Sequence, residues 1–404
     1  MDGKYLRATV LAMGGAAALL ISTLTGGSAS AAKVNHLGTA TAPLSRSANT
    51  DPRTVEFVHG INGNYRNFQC GNLTGGYAAI LAQVCGARGA FTEQSFAYYQ
   101  DQGYASASPP ACPGMPPPDT ATGALFVDPT AIDPHICDSK GALAYSAAAL
   151  DTHLVSTSRP VTVIANSMGG AITRGWLALA DQKKDASLTQ ADSVIFLQGA
   201  QSGSWAAAAG ERAASIPVVG PIVRYVSSRL GFDVNRPGVV DVTPESRWYG
   251  SVNPSVPDPG VPAGLAYYNF YSNITVNFEI NLGFFTLHTG SFNMGDTVML
   301  PGSDNPRDEP RLGGARFLPG GQQTTSRHQF AMDSQVNINP GDVLVPPLLV
   351  RDAIRIINDP LSHFRFSSTV GSVDVTGCGA GSPSVTAAAE VFRILQDPTH
   401  GCAS

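Results

Sequence analysis

Charge is scarce in this chain of 404 residues: 14% are Asp, Glu, Lys or Arg, and the formal net charge is −5. No stretch is rich in Lys or Arg, which argues against a nucleic-acid partner or an anionic membrane surface. Beyond Leu24 no run is long and apolar enough to span a bilayer. There is no Cys-x-x-Cys pair and no cluster of histidines, so a cysteine-based metal site and a dithiol redox motif both lack their ligands. No internal repeat is visible.

What is present begins with a leader. Lys4 and Arg7 precede an apolar stretch from Ala8 to Leu24, and small residues follow, ending Ala29-Ser30-Ala31. This layout predicts a Sec-type signal peptide over 1–31, with no cysteine near the cleavage site to carry a lipid anchor. A secreted, extracellular protein is expected. Six cysteines agree with an oxidising compartment. They fall in three local groups, Cys70 with Cys85, Cys112 with Cys137 and Cys378 with Cys402; sequential pairing is the expectation among the many that six cysteines allow. Asn72-Leu73-Thr74 and Asn273-Ile274-Thr275 are glycosylation sequons, relevant only in a host that glycosylates.

After an irregular segment over 32–52, apolar strand patterns alternate with helical ones. Val55–Val58, Ser95–Tyr99, Val161–Ala165, Asp192–Leu197 and Leu265–Tyr271 read as strands, and Arg316–Leu318 as a short one. Leu143–Val155, Trp205–Ala214, Ile222–Leu230 and Leu349–Ile357 read as helices, the last as the closing helix. Val298–Leu300 begins a further element. The alternation predicts an α/β fold with a mostly parallel sheet and helices on both faces.

The densest chemistry lies at 161–177, VTVIANSMGGAITRGWL. A β-branched strand runs into Asn166-Ser167-Met168-Gly169-Gly170. A helical pattern follows, with Ala171, Ile172, Trp176 and Leu179 on one face. A serine in a tight strand-to-helix turn, flanked by small residues two before (Ala165) and two after (Gly169), is the layout of a nucleophile elbow. The helix N-terminus favours negative charge developing beside the hydroxyl. The plainer reading of Ser167 is a helix N-cap.

These residues resemble the α/β-hydrolase superfamily, and the Ala-x-Ser-x-Gly form resembles small secreted bacterial lipases. The resemblance covers roughly 53–330. It implies a hydrolase domain over 53–370, a cap or lid insertion around 201–262, and a disulfide-tied tail over 371–404. It also implies the chain order Ser, Asp, His for the triad. His36, His59, His135 and His153 precede Ser167. Of the remainder, His328 is expected as the base, because it sits in a loop after a short strand. His363 and His400 come after the closing helix and read as surface or loop histidines, while His288 precedes the best acid. Tyr271-Ser272-Asn273 matches the segment before the family's acid, but no Asp follows. Met294-Gly295-Asp296-Thr297-Val298 offers the next match, with 274–295 as an insertion. Asp296 is therefore expected as the acid, ahead of Asp304 and Asp308, with Glu279 as an outside choice.

The resemblance further implies an oxyanion hole from the N–H groups of Met168, after the nucleophile, and Ile61, in His59-Gly60-Ile61. His59 would order that loop. Val240-Asp241-Val242-Thr243-Pro244-Glu245-Ser246 resembles a segment that follows the lid in several lipases. The activity implied is acyl-ester or lipid hydrolysis by a monomer, with transient contact at a lipid interface. No cofactor or catalytic metal is expected; Asp304, Asp308 and Glu309 cluster either as a solvated turn or as a structural calcium site. An acyltransferase or polymer esterase with the same triad, or an inactive binding protein on the same fold, are the alternatives.

Overall fold

A computed structural model describes residues 52–61, 63, 68–70, 77–87, 89–96, 143–157, 160–183, 187–201, 203–214, 237–243, 246, 265–281, 286–299, 327–344, 346–375 and 385–397. In chain order its elements are β1 (Arg53–Val58), α1 (Ala78–Gly86), β2 (Phe91–Phe96), α2 (Leu143–Ser156), β3 (Val161–Asn166), α3 (Met168–Lys183), α4 (Ser187–Gln190), β4 (Ala191–Leu197), α5 (Trp205–Ala214), α6 (Pro237–Asp241), β5 (Ala266–Asn281), β6 (Thr286–Asn293), β7 (Arg327–Ile338), α7 (Pro346–Ile357), α8 (Phe366–Thr369), β8 (Asp374–Val375), β9 (Val385–Thr386) and α9 (Ala387–Gln396).

The central sheet is mostly parallel, in the spatial order β2-β1-β3-β4-β5 with β7 on the far edge of β5. Alternating side chains point to opposite faces. Val163 and Ala165 of β3 join Val194 and Phe196 of β4 against Leu150 and Leu154 of α2 and Ile172 and Trp176 of α3. On the other face Phe57, Ile164, Ile195 and Leu197 pack with Ile80 and Leu81 of α1 and Val391 and Ile394 of α9. Burial on both faces explains why these strands are apolar nearly throughout. Chain connections leave β1 first toward β2 and then cross to β3. The reversal of strand order therefore falls between β1 and β3, and the crevice at the carboxyl end of such a reversal is where α/β sheets place their chemistry.

Several sequence expectations shift here. The second strand, β2, begins at Phe91, four residues before the expected Ser95, while Ala97–Tyr99 lie outside the described residues; among the described strands it is an edge, which accommodates its polar Thr92-Glu93-Gln94. The strand expected at 265–271 runs on to Asn281. Its first residues pair with β4, its last with the antiparallel β6, and β7 flanks it for most of its length. Within 274–295, the described residues 275–281 and 286–293 pair antiparallel, beyond the part of β5 that pairs with β4. The base of this pair is closed by Ile274 N–H to Gly295 O at 3.0 Å and Met294 N–H to Ile274 O at 2.9 Å. On one face Asn273 donates to Asp333 and accepts from Asn293, so the amide of this sequon is already engaged. Of the element expected from Val298–Leu300, Met299 forms an isolated bridge with Ser204, and Leu300 lies outside the described residues.

Residues 387–396, expected within a tail, form α9. Its apolar residues at Ala388, Val391, Ile394 and Leu395 fall on one face and are buried, and Thr386 caps it by accepting from Ala389 N–H at 3.2 Å. One disulfide, Cys70–Cys85, is formed among the described residues. Both other cysteine pairs lie outside them, as do the leader, the segment 32–51, the expected elements at 222–230 and 316–318, Asn72, and the cluster Asp304, Asp308 and Glu309. No helix among the described residues is long and apolar enough to cross a membrane.

Candidate active site

The loops after β1, β3 and β4 meet at the carboxyl edge of the sheet, beside β5. The register aligns Val58 with Ala165, Asn166 with Leu197 and Leu197 with Phe270. The residues that follow, His59, Ser167, Gln198 and Tyr271, therefore lie along one edge.

Ser167 joins β3 to α3 with φ +54°, a left-handed conformation that a non-glycine residue adopts at a cost. Its carbonyl accepts from Gly170 N–H and Ala200 N–H, both at 2.9 Å. The small residues around it answer to close contacts. A Cβ on Gly169 would come within 2.3 Å of Val58 O, and one on Gly170 within 2.6 Å of Gly199 Cα. A Cβ on Gly60 would meet Ser167 Cβ at 2.6 Å and its Oγ at 3.0 Å. The loop after β1 thus lies directly against the serine.

Within that loop His59 is buried, and its Nδ1 donates to Gly60 O at 2.8 Å. Gly63 N–H donates to the same oxygen at 3.0 Å. In a trans peptide the N–H points opposite to its carbonyl. Anchoring Gly60 O in this way turns the Ile61 N–H in the other direction. Met168 is the first residue of α3, whose opening N–H groups have no partner within the helix.

The acid stands where the β5–β6 hairpin returns to the sheet edge. Asp296 is fully buried. Its Oδ1 accepts from Val298 N–H at 2.9 Å and Met299 N–H at 2.6 Å, which fixes the carboxylate. The next residue, Thr297, is held at φ +80°, strained for a β-branched side chain. Asp296 Oδ2 is 2.6 Å from His363 Nδ1, and His363 Nε2 is 2.8 Å from Ser167 Oγ. A carboxylate only accepts, so the imidazole carries its proton on Nδ1 and leaves Nε2 to accept from the serine hydroxyl. The two residues are joined a second time through the backbone, His363 N–H to Asp296 O at 2.7 Å. Nearby Tyr77 is buried. Burial, and secondarily the Asp296 charge, push its hydroxyl well above the usual range, so it stays protonated.

The structure therefore brings Ser167 and Asp296 together but seats His363, not His328, between them. His328 lies inside β7, paired with Tyr268. Its backbone is three strand spacings from β3, roughly 14 Å away. The expectation fails because Leu349–Ile357 is not the closing helix: α8 and α9 still follow it. The corrective signal was in the sequence. Phe330, Met332, Val336 and Ile338 alternate, marking a strand that contains His328 rather than one that ends before it. Glu279, the outside choice for the acid, and His288, set aside by its position before Asp296, are register partners on β5 and β6.

Asp241, in the lipase-like 240–246 segment, is no part of this line. Its Oδ2 accepts from Leu143 N–H at 2.9 Å, at the start of α2. Burial raises its carboxyl to about 6 against the lowering effect of that hydrogen bond.

Among known proteins, no family model and no curated sequence matches the chain.

Proposed function

We propose that the chain is a serine ester hydrolase of the α/β-hydrolase kind, acting on apolar acyl esters. One observation carries the reading: an unbroken hydrogen-bonded line, Asp296 to His363 to Ser167, ending on a strained serine at the sheet's carboxyl edge. A serine hydroxyl is a poor nucleophile until a base takes its proton, and the base works only when a carboxylate holds its tautomer.

In this mechanism His363 Nε2 takes the Ser167 proton as Oγ attacks the ester carbonyl. The Ile61 and Met168 N–H groups receive the oxyanion. His363 then returns the proton to the leaving alcohol, and water repeats the cycle on the acyl-enzyme. Side chains and water suffice for every step. The apolar substrate class is supported by Phe364, 53% exposed beside His363, with its ring edge-on to the imidazole. The segment after β4, including α5 and α6, fits a cap over the site, and the leader fits secretion.

A fluorophosphonate probe tests the reading. The folded protein is expected to label at Ser167, and Ser167→Ala to lose the label. A folded wild-type protein left unlabelled would overturn the proposal. Product analysis with an added alcohol then separates hydrolysis from acyl transfer.

A further inference from the structure

Gln198 is fully buried immediately after β4, and the catalytic line does not use it. Its φ is +47°, again left-handed for a residue other than glycine. Its backbone N–H donates to Phe270 O at 2.9 Å, extending the β4–β5 ladder by one step. Its side-chain Nε2 makes two bonds, to Leu361 O at 2.7 Å and Ser272 Oγ at 2.6 Å. A carbonyl can only accept, so the Leu361 contact fixes which end of the amide is nitrogen.

These partners belong to the elements that carry the triad. Leu361 is two residues before His363. Ser272 lies on β5, just before the hairpin that delivers Asp296. The turn at Gln198 also sends the chain on to Gly199 and Ala200; the first packs on Gly170, and the second ties the Ser167 carbonyl. One residue thus touches the supports of the nucleophile, the acid and the base. The base needs such support most, because its loop reaches the site after α7. The loop's other ties include Asp359 Oδ1, which accepts from Leu361 N–H at 2.9 Å and from Ser334 Oγ at 3.0 Å, the His363–Asp296 backbone bond, and bonds within its own turns such as Ser362 N–H to Asp359 O at 2.9 Å.

We propose that Gln198 is a positioning residue: its carboxamide fixes the height of the His363 loop over Ser167. The inference rests on the hydrolase reading of the site. A misplacement of about 1 Å at a reacting group costs on the order of 100-fold in rate. A lost strap should therefore appear in kcat and leave KM nearly untouched.

The test compares wild type, Gln198→Met and Gln198→Glu on a p-nitrophenyl ester, with active sites counted by fluorophosphonate. Gln198→Met keeps the length and removes the donor; kcat per titrated site is expected to fall on the order of 10- to 100-fold, with KM within about twofold. Gln198→Glu carries a signature that a merely structural role would not produce. Protonated, its carboxyl donates to Leu361 O; ionised, it repels that oxygen. The ratio of its kcat to that of wild type should therefore rise as pH falls, since taking the ratio removes whatever pH dependence the two proteins share. If Gln198→Met fails to fold, this ratio decides alone. A kcat per site within about twofold of wild type for Gln198→Met, or a flat Gln198→Glu ratio, overturns the proposal. Failure of the hydrolase reading would look different, because wild type itself would not label.

Discussion

The elbow and the histidine loop both reach Ser167 Oγ, yet they are built in opposite ways. The elbow is one continuous β3–turn–α3 unit. Its geometry follows from neighbours in sequence: a β-branched strand, a strained serine and two glycines that let backbone lie on backbone. The histidine loop has turns of its own, with Ser362 N–H donating to Asp359 O at 2.9 Å and Leu361 N–H to Asp359 Oδ1 at 2.9 Å, but these only fold the loop on itself. Its position comes from Gln198 after β4, Ser334 on β7 and the backbone of Asp296. A reactive group can thus be placed by a motif or by long-range ties, and only the first kind leaves a compact signature along the chain.

Removing one histidine or the other is the strongest way to break this comparison. His363→Ala should lower kcat by roughly 10⁴-fold or more, and Asp296→Asn by a similar factor, because the imidazole then loses its tautomer or is absent. His328→Ala should stay within a few-fold, measured on the same ester. The opposite ranking would return the base to β7.

A smaller effect sharpens the elbow side. Gly169→Ala puts a methyl 2.3 Å from Val58 O and 2.5 Å from His59 O, both backbone atoms that cannot turn aside. Overpacking of this kind typically costs about 1–3 kcal/mol, and the contact with two carbonyls places it at the upper end. Urea unfolding reads the loss. A variant as stable as wild type would mean that strand and helix separate easily and that the elbow is not rigid.

The smallest effect concerns the joint between α6 and α2, where Asp241 accepts from the Leu143 N–H. With its carboxyl raised from 3.8 to about 6, the folded state holds more protons than the unfolded one between those values. This group's contribution is therefore fully present below about pH 4 and is lost as pH rises through about 6. Asp241→Asn keeps an acceptor for Leu143 and removes the charge. A net gain of about 2 kcal/mol at pH 8 is expected, after the lost attraction to the helix N-terminus, with little change at pH 4. Melting temperatures across pH 4–8 test this. A variant that is less stable at pH 8 would show that the ionised carboxylate is worth more than its burial costs.

Much of the parallel sheet was legible in the chain. The strands at 161–166 and 191–197 announce themselves because both faces are buried, so nearly every residue is apolar. Edge and arm strands did not. The Thr-Glu-Gln run in β2 is polar because an edge strand tolerates it, and the outer half of β5 alternates Asn and Thr with Ile and Val because one face meets solvent. Asp296 was readable from Gly-Asp-Thr-Val, but its nearness to Ser272 and Asn273 depends on a hairpin closing at Ile274 and Gly295.

What the sequence determined by itself is the nucleophile's setting. Strand propensity, a small-residue turn and a helix start are short-range preferences, complete within some twenty residues, and Ser167 sits where they converge. What only the tertiary structure decided is which histidine faces it. The order of residues along the chain left His328 and His363 both behind Asp296. The choice fell to His363 because β7 draws His328 into a sheet ladder, while hydrogen bonds from three separate elements set the loop of His363 over the serine.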